Sequence, residues 1–309
     1  MSTILSNRVQ KVKPSATMAV SDKAKELKSQ GIQIISMGSG EPDFDTPVNI
    51  QKAAITAIGS GDTRYTPADG TAELKKAVCE KFKRENGLDY SLNEVMVSCG
   101  GKQVFYNLCQ AILNEGDEVI IPTPYWVSYP DMAILADATP VFIEAGLEQD
   151  FKITPDQLEA SITDKSKLFV LNSPSNPTGS VYSESEIKAL GEVLKKYPQV
   201  LTISDDIYEH IRWGDDNFVN IAMACPELKD RVVILNGVSK AYAMTGWRIG
   251  YAAGPEIVIK AMKKIQGQST SNPSSISQAA ALEAITGDQS FINMMVEAFE
   301  SRHEFLVDS

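Results

Sequence analysis

The sequence is short of the residues that most metal and disulfide chemistry needs. It has two histidines, His210 and His303, in 309 residues, and neither has a neighbour at metal-ligand spacing. Its four cysteines, Cys79, Cys99, Cys109 and Cys225, form no C-x-x-C pair, so free thiols in a reducing compartment are expected. There is no basic block: 29 Lys and Arg face 40 Asp and Glu, a net charge of -11. That balance argues against a nucleic-acid or anionic-membrane surface as the main partner and leaves only local basic sites for small anions. No apolar run approaches the ~20 residues of a membrane helix, and the opening MSTILSNRVQKVKPS lacks the apolar centre of a secretory signal. A soluble, cytoplasmic chain is expected. The G-x-S-x-G of a Ser–His–Asp hydrolase is missing, as is G-x-G-x-x-G. A phosphate loop ending at Gly101-Lys102 would need glycine where Met96 stands.

What is present is a rhythm of short apolar runs. Residues 95–98, 119–122, 140–143, 168–171, 200–204, 232–235 and 249–254 are continuous rather than alternating, as strands covered on both faces should be. Between them lie helical patterns with legible starts. Ser183 to Glu186 and Thr154 to Gln157 read as capping boxes, and Thr46-Pro47 opens a helix reaching Gly59. Strand–helix alternation of this kind predicts an α/β fold with a mostly parallel seven-stranded sheet over roughly residues 50–285. Residues 1–15 read as an extended arm, residues 17–45 lie outside the sheet, and FINMMVEAFESRHEFLVDS has the period of an amphipathic helix.

Ligands of open α/β sheets bind beyond the carboxyl ends of the strands, so the residues that follow each run are the ones to collect. They are CGGKQ (99–103), NSPSNPTG (172–179), DDIYEH (205–210) and the loop GVSKAYAMTGWRIG (237–250). Gly100-Gly101 entering a helix suits a phosphate, though a plain tight turn explains a glycine pair equally well. Arg248 offers a charge for the same anion; the ordinary alternative is a surface ion pair. Lys240 can act as a nucleophile or base only if its pKa, ordinarily about 10.4, falls toward neutrality at a cost of about 4 kcal/mol. Burial and the nearby arginine push that way, and imine formation with an aldehyde cofactor achieves it outright. Asp205 suits the cationic ring nitrogen of pyridoxal phosphate, and Tyr208 and Asn176 suit its ring oxygen. Trp126 could stack on such a ring or simply pack at its rim.

These motifs together identify a family. GVSKAYAMTGWRIG resembles the lysine signature of class I, fold type I, pyridoxal-phosphate-dependent aminotransferases along its whole length. GEPDFDTP (40–47), RYTPADG (64–70), GGKQ (100–103), PYWVSYP (124–130), NSPSNPTG and SDDIYEH follow in that family's order, closest to its bacterial aspartate aminotransferase branch. The resemblance implies pyridoxal 5'-phosphate as cofactor and Lys240 as its Schiff-base lysine and acid/base. It implies Asp205 on the ring nitrogen, and Asn176 and Tyr208 on the ring oxygen. Gly100, Gly101, Lys102 and Arg248 fall on the phosphate, Trp126 on the ring face, and Gly40, Trp126 and Asn176 beside the substrate. Tyr65 would reach a phosphate across a homodimer interface.

The implied reaction is ping-pong transfer of an amino group from an amino acid, aspartate first, to 2-oxoglutarate. The implied organisation is an arm (1–16), a small-domain segment (17–46), a large cofactor domain (47–287) and the start of a second small-domain segment (288–309). Two departures stand out. Gly237 occupies a position where some relatives carry a phosphate-binding serine. The sequence also stops at Ser309, before the family's carboxylate-binding arginine, and a chain ending there is expected to bind cofactor but transaminate poorly. The rival expectations are another pyridoxal-phosphate enzyme on this scaffold, such as a carbon–sulfur lyase, and a non-catalytic binding protein.

Overall fold

Each of the seven apolar runs becomes a strand. In the computed structural model, which describes residues 4–14, 16–35, 38, 40–214 and 217–309, these are β1 Val95–Ser98, β2 Glu118–Thr123, β3 Thr139–Glu144, β4 Ser166–Asn172, β5 Leu201–Asp205, β6 Val232–Gly237 and β7 Gly250–Ala253. They form one sheet in the order β1-β7-β6-β5-β4-β2-β3. Only β7 runs against its neighbours, pairing antiparallel with both β1 and β6. Strands β6 and β7 inside the sheet, and β1 at its edge, are buried along their whole length, which is why they read as unbroken apolar runs. Edge strand β3 is half exposed.

Twelve helices accompany the sheet among the described residues: α1 Asn7–Lys11, α2 Ala16–Ser29, α3 Val48–Gly59, α4 Ala72–Asn86, α5 Gly101–Ile112, α6 Ser128–Leu135, α7 Pro155–Ser161, α8 Glu184–Lys195, α9 Ile221–Ala224, α10 Glu256–Ser269, α11 Ser275–Thr286 and α12 Ser290–Val307. One face of the sheet packs on α3, α4, α8 and α11 through Ile50, Leu74, Phe82, Leu190 and Ala280. The other packs on α5, α6 and α10 through Phe105, Leu108, Met132 and Met262. The sheet is therefore covered on both sides, and its carboxyl edge is left for loops.

Of the local readings, one holds and two need adjustment. Both capping boxes form, with Ser183 accepting from the Glu186 N–H and Thr154 from the Gln157 N–H. Helix α3 does end at Gly59, but Pro47 stands at its N-cap, without a side-chain cap. The Thr46 hydroxyl is used elsewhere, donating to the Ala243 carbonyl at 2.7 Å and accepting from Trp247 Nε1 at 2.9 Å. The N-terminal arm is not wholly extended: α1 forms one capped turn, with Ser6 accepting from the Val9 N–H. A five-residue helix carries too little periodicity to be legible in sequence.

Segment 40–46 ties the last helix to the lysine loop. Arg302 on α12 pairs with Asp43 at 2.8 Å and lies over the Phe44 ring, which meets Phe299 edge-on. At the other end, Thr245 donates to Glu41. No helix among the described residues is long and apolar enough to cross a membrane.

Candidate active site

The buried strand β6 delivers the chain into the lysine loop, whose shape depends on two residues in left-handed backbone, Ala243 (φ 49°) and Arg248 (φ 56°). Such conformations cost free energy for residues other than glycine and persist where the surroundings fix them. Here the fixing groups are Thr46, as above, and the Thr245 carbonyl, which accepts from Arg248 Nη1 at 2.7 Å. Lys240 emerges half-buried and donates to the Gly40 carbonyl. Burial lowers its pKa and the Arg248 charge adds to this, while Glu41 and Asp205 pull the other way.

Opposite the lysine, β5 ends on Asp205. Its carboxylate is buried, and it accepts from the Tyr129 hydroxyl at 2.5 Å and from the Ile207 N–H at 3.3 Å. Burial pushes its pKa up to about 6 against those two hydrogen bonds and the Lys240 charge. No ion pair to it forms among the described residues; a buried carboxylate aimed into a cleft without one is suited to a cationic ligand. Tyr208 lies on the same turn, its ring centroid 5.7 Å from Lys240 Nζ. Burial, with the Asp205 charge, raises its phenol to about 12. Asn176 donates to that phenol oxygen at 3.4 Å. Asn172, at the end of β4, fixes both neighbours: its Oδ1 accepts from the Asn176 N–H and its Nδ2 donates to the Asp205 carbonyl, each at 2.8 Å.

The glycine pair meets the arginine directly. Gly100 has φ 89°, and a Cβ there would lie 2.2 Å from Arg248 Nη2. A Cβ on Gly250 would lie 2.4 Å from the Gly101 nitrogen. Two glycines thus let β7, the Gly100 turn and the guanidinium share one place, beside the N-terminus of α5, which has no side-chain cap. Gly237 has its own reason. A Cβ would sit 2.9 Å from the Ile249 carbonyl oxygen, so a serine hydroxyl at this position cannot be accommodated without moving the backbone of the next strand. Gly237→Ser is expected to lower stability by about 1–3 kcal/mol, read as a lower melting temperature. An unchanged melting temperature with tighter phosphate binding would contradict this.

These residues line a cleft of about 210 Å³, including Lys102, Trp126, Asn176, Asp205, Lys240 and Arg248. Lys102 contributes its side chain as well as its backbone, with Nζ 5.1 Å above the Trp126 ring; burial, then Arg248, lowers its pKa. Gly40, Trp126 and Asn176 also line a wider opening of about 600 Å³ that leads outward. Tyr65 does not join them: it is 92% exposed on this chain.

Sequence reasoning passed over Tyr129 and Asn172. Both lie inside motifs already singled out, and Tyr129 is three residues after Trp126, whose ring it meets edge-on with centroids 5.2 Å apart. Tyr129→Phe is expected to leave Asp205 one donor short and weaken binding of a cationic ring by about 1.5–3 kcal/mol, roughly ten- to a hundredfold, in a cofactor titration. Unaltered affinity would make the hydroxyl a spectator.

A seven-stranded sheet with a lysine, a carboxylate, a phenol and an arginine gathered at its carboxyl edge has the architecture of a fold type I aminotransferase. Residues 32–309 match the aminotransferase class I and II family, and the chain belongs to it. It is 60% identical over 305 residues to the aspartate/prephenate aminotransferase of Nitrosomonas europaea, covering 99% of this chain and 77% of that protein. It is 57% identical to the protein of the same name from Cereibacter sphaeroides, covering 98% and 76%. Among solved structures, the aspartate aminotransferase of Rhizobium meliloti superposes with a TM-score of 0.96 at 47% identity, covering 99% and 76% of the two chains. That of Thermus thermophilus with maleate superposes with 0.95 at 44% identity, covering 99% and 80%. The chain is an aminotransferase-class enzyme.

Proposed function

We propose that the chain is a pyridoxal-phosphate-dependent aminotransferase that takes the amino group of L-aspartate and passes it to a 2-oxo acid, 2-oxoglutarate or prephenate, by a ping-pong course. The observation that carries this is the buried Asp205 carboxylate, which makes no ion pair among the described residues and opens onto the same cleft as Lys240 and Arg248. The donor set fits the cofactor. Asp205 suits a protonated ring nitrogen, Tyr208 and Asn176 suit the ring oxygen, and Trp126 suits the ring face. Arg248 with the N–H groups of Gly101 and Lys102 suits the phosphate, while the Gly100 N–H is taken by the Ser98 carbonyl at 2.8 Å. When bound, pyridoxal phosphate supplies an electron sink that makes the substrate's Cα–H acidic.

The protein's part is acid–base work and positioning. Lys240, its pKa lowered by burial, is the base that takes the proton from Cα and returns one at the end of the half-reaction. Asp205, ionised by a cation opposite it, holds that positive charge in place. Asn176 and Tyr208 share a hydrogen bond and fix the electron density of the ring oxygen. Gly40 and Asn176 orient the substrate's carboxylate. Lys102, over Trp126, gives the cleft a third cation, available for an acidic side chain. Tyr65, exposed on this chain, is offered to the site of a second copy in a homodimer.

The test is an assay of aspartate with 2-oxoglutarate or prephenate and added pyridoxal phosphate. Parallel double-reciprocal lines and stoichiometric amino transfer are expected. Ammonia release without an acceptor would identify a lyase on the same scaffold instead.

A further inference from the structure

Behind the cleft lies a buried cluster of charges that the proposed chemistry does not use. Lys81, on α4, has no exposed surface. Its ammonium donates to Glu209 Oε1 and, at 2.9 Å, to Asn86 Oδ1, and it lies 3.4 Å from Glu85 Oε2. Glu209 also accepts from Asn236 Nδ2 at 2.7 Å and from Asn86 Nδ2 at 3.0 Å. His210 Nε2, 3.0 Å from Glu85 Oε2, completes the group. The ligand atoms of Glu85, Glu209 and His210 lie within 4.8 Å of one another, a composition that could hold a metal. The Lys81 ammonium already takes the cation's place.

The cluster grips the turn that bears two of the site residues. Along 205–209 the chain sends Asp205 and Tyr208 toward the cleft, and Asp206 and Glu209 inward. Asp206 accepts from Ser204 Oγ and Asn220 Nδ2, both at 2.7 Å. The turn has few backbone restraints of its own: Asp206 N–H to Leu235, Glu209 N–H to Asp206, and Ile211 N–H to Tyr208. Strand β5 and Asn172 hold the turn at Asp205; beyond it the conformation rests on the inward side chains, and Glu209 is one peptide away from Tyr208. A buried ion pair stabilises little compared with apolar packing, but losing one partner costs heavily, so it favours the single arrangement that satisfies every donor. A surface pair would impose no such choice.

We propose that Lys81 is a positioning residue: through Glu209 it holds the 205–209 turn in the one arrangement that presents Asp205 and Tyr208 to the cleft together. This rests on the cofactor reading above. The charged and titratable groups facing Glu209 are Lys81 and Glu85 of α4, His210 and Asp206 of its own turn, and the phenols of Tyr242 and Tyr251. Tyr208 faces Asp205, Asn176 and Lys240. Against the cost of burial, His210 and Lys81 hold Glu85 at about 2, so the Glu85 carboxylate stays charged through the neutral range.

The experiment compares wild type, Lys81→Met, Glu209→Gln, Tyr208→Phe and the two combinations with Tyr208→Phe, each loaded with pyridoxal phosphate. The readouts are the midpoint of the visible absorption band against pH and the cofactor affinity. Lys81→Met is expected to move the midpoint in the same direction as Tyr208→Phe, by at least about half a pH unit. Combined with Tyr208→Phe, it moves the midpoint no further than Tyr208→Phe alone. Glu209→Gln, which keeps the shape, moves it the same way by less. Additive midpoints in the combinations, or an unmoved midpoint in both Lys81→Met and Glu209→Gln, overturn the proposal and leave the cluster a matter of stability. If Lys81→Met does not fold, Glu209→Gln and its combination decide by the same criterion. A wild-type chain with no pH-sensitive band overturns the cofactor reading, and this proposal with it.

Discussion

Lys240→Ala is expected to cut amino transfer by roughly 10²–10⁴-fold, while the folded chain survives. The lysine is half-buried, its hydrogen bond goes to the Gly40 carbonyl, and its charge is held against the cost of burial. Removing it therefore costs the fold little. The phosphate and ring contacts proposed for Arg248, the Gly100 turn and Asp205 do not pass through Lys240, so the cofactor is expected still to bind, but without a covalent link. Initial rates with aspartate, alongside a thermal melt, check both halves. Substantial activity in a folded Lys240→Ala chain would move the acid–base role elsewhere, with Lys102 the next amine in the cleft.

Asp205→Asn separates function from stability in opposite directions. The folded-state pKa of about 6 lies above the ordinary 3.8 because burial disfavours the charge. The folded chain thus holds a proton more tightly than the unfolded chain does. The associated stability is present below pH 3.8 and is lost as pH rises through 6, by about 3 kcal/mol. An asparagine has no such charge to desolvate. The cofactor-free variant is expected to be more stable than wild type at pH 8, by up to about 3 kcal/mol, in urea titration. Its amino transfer is expected to fall roughly 10²–10³-fold, as when a pre-placed electrostatic partner is removed. A variant less stable than wild type at pH 8 would mean that the Tyr129 hydrogen bond outweighs the desolvation of the carboxylate.

The strands were legible because burial on both faces leaves no polar alternation, and all seven runs form strands within two residues of their expected limits. Their order was not. Nothing local in GYAA tells that β7 slips antiparallel between β1 and β6; that follows from where the Gly250 backbone can approach Gly100 and Gly101. The lysine loop, the glycine pair, Asp205 and Tyr208 announced themselves by standing just past strand ends. Tyr129 did not, because its partner Asp205 is 76 residues away and a tyrosine in an apolar helix reads as core. Lys81 was still less visible: in AELKKAVCEKFKREN it is one lysine among several, and only the fold shows that it is fully buried. Tyr65 remains apart from the cleft of its own chain.

The central claim is that Lys240 is the residue through which this chain carries its cofactor. The direct measurement is to incubate the purified chain with pyridoxal phosphate, reduce it with borohydride and map the modified peptides by mass spectrometry. The account predicts one phosphopyridoxyl group per chain, on the peptide containing Lys240, with none when aspartate is added first to excess. Label spread over several surface lysines, or concentrated on a residue other than Lys240, would contradict it.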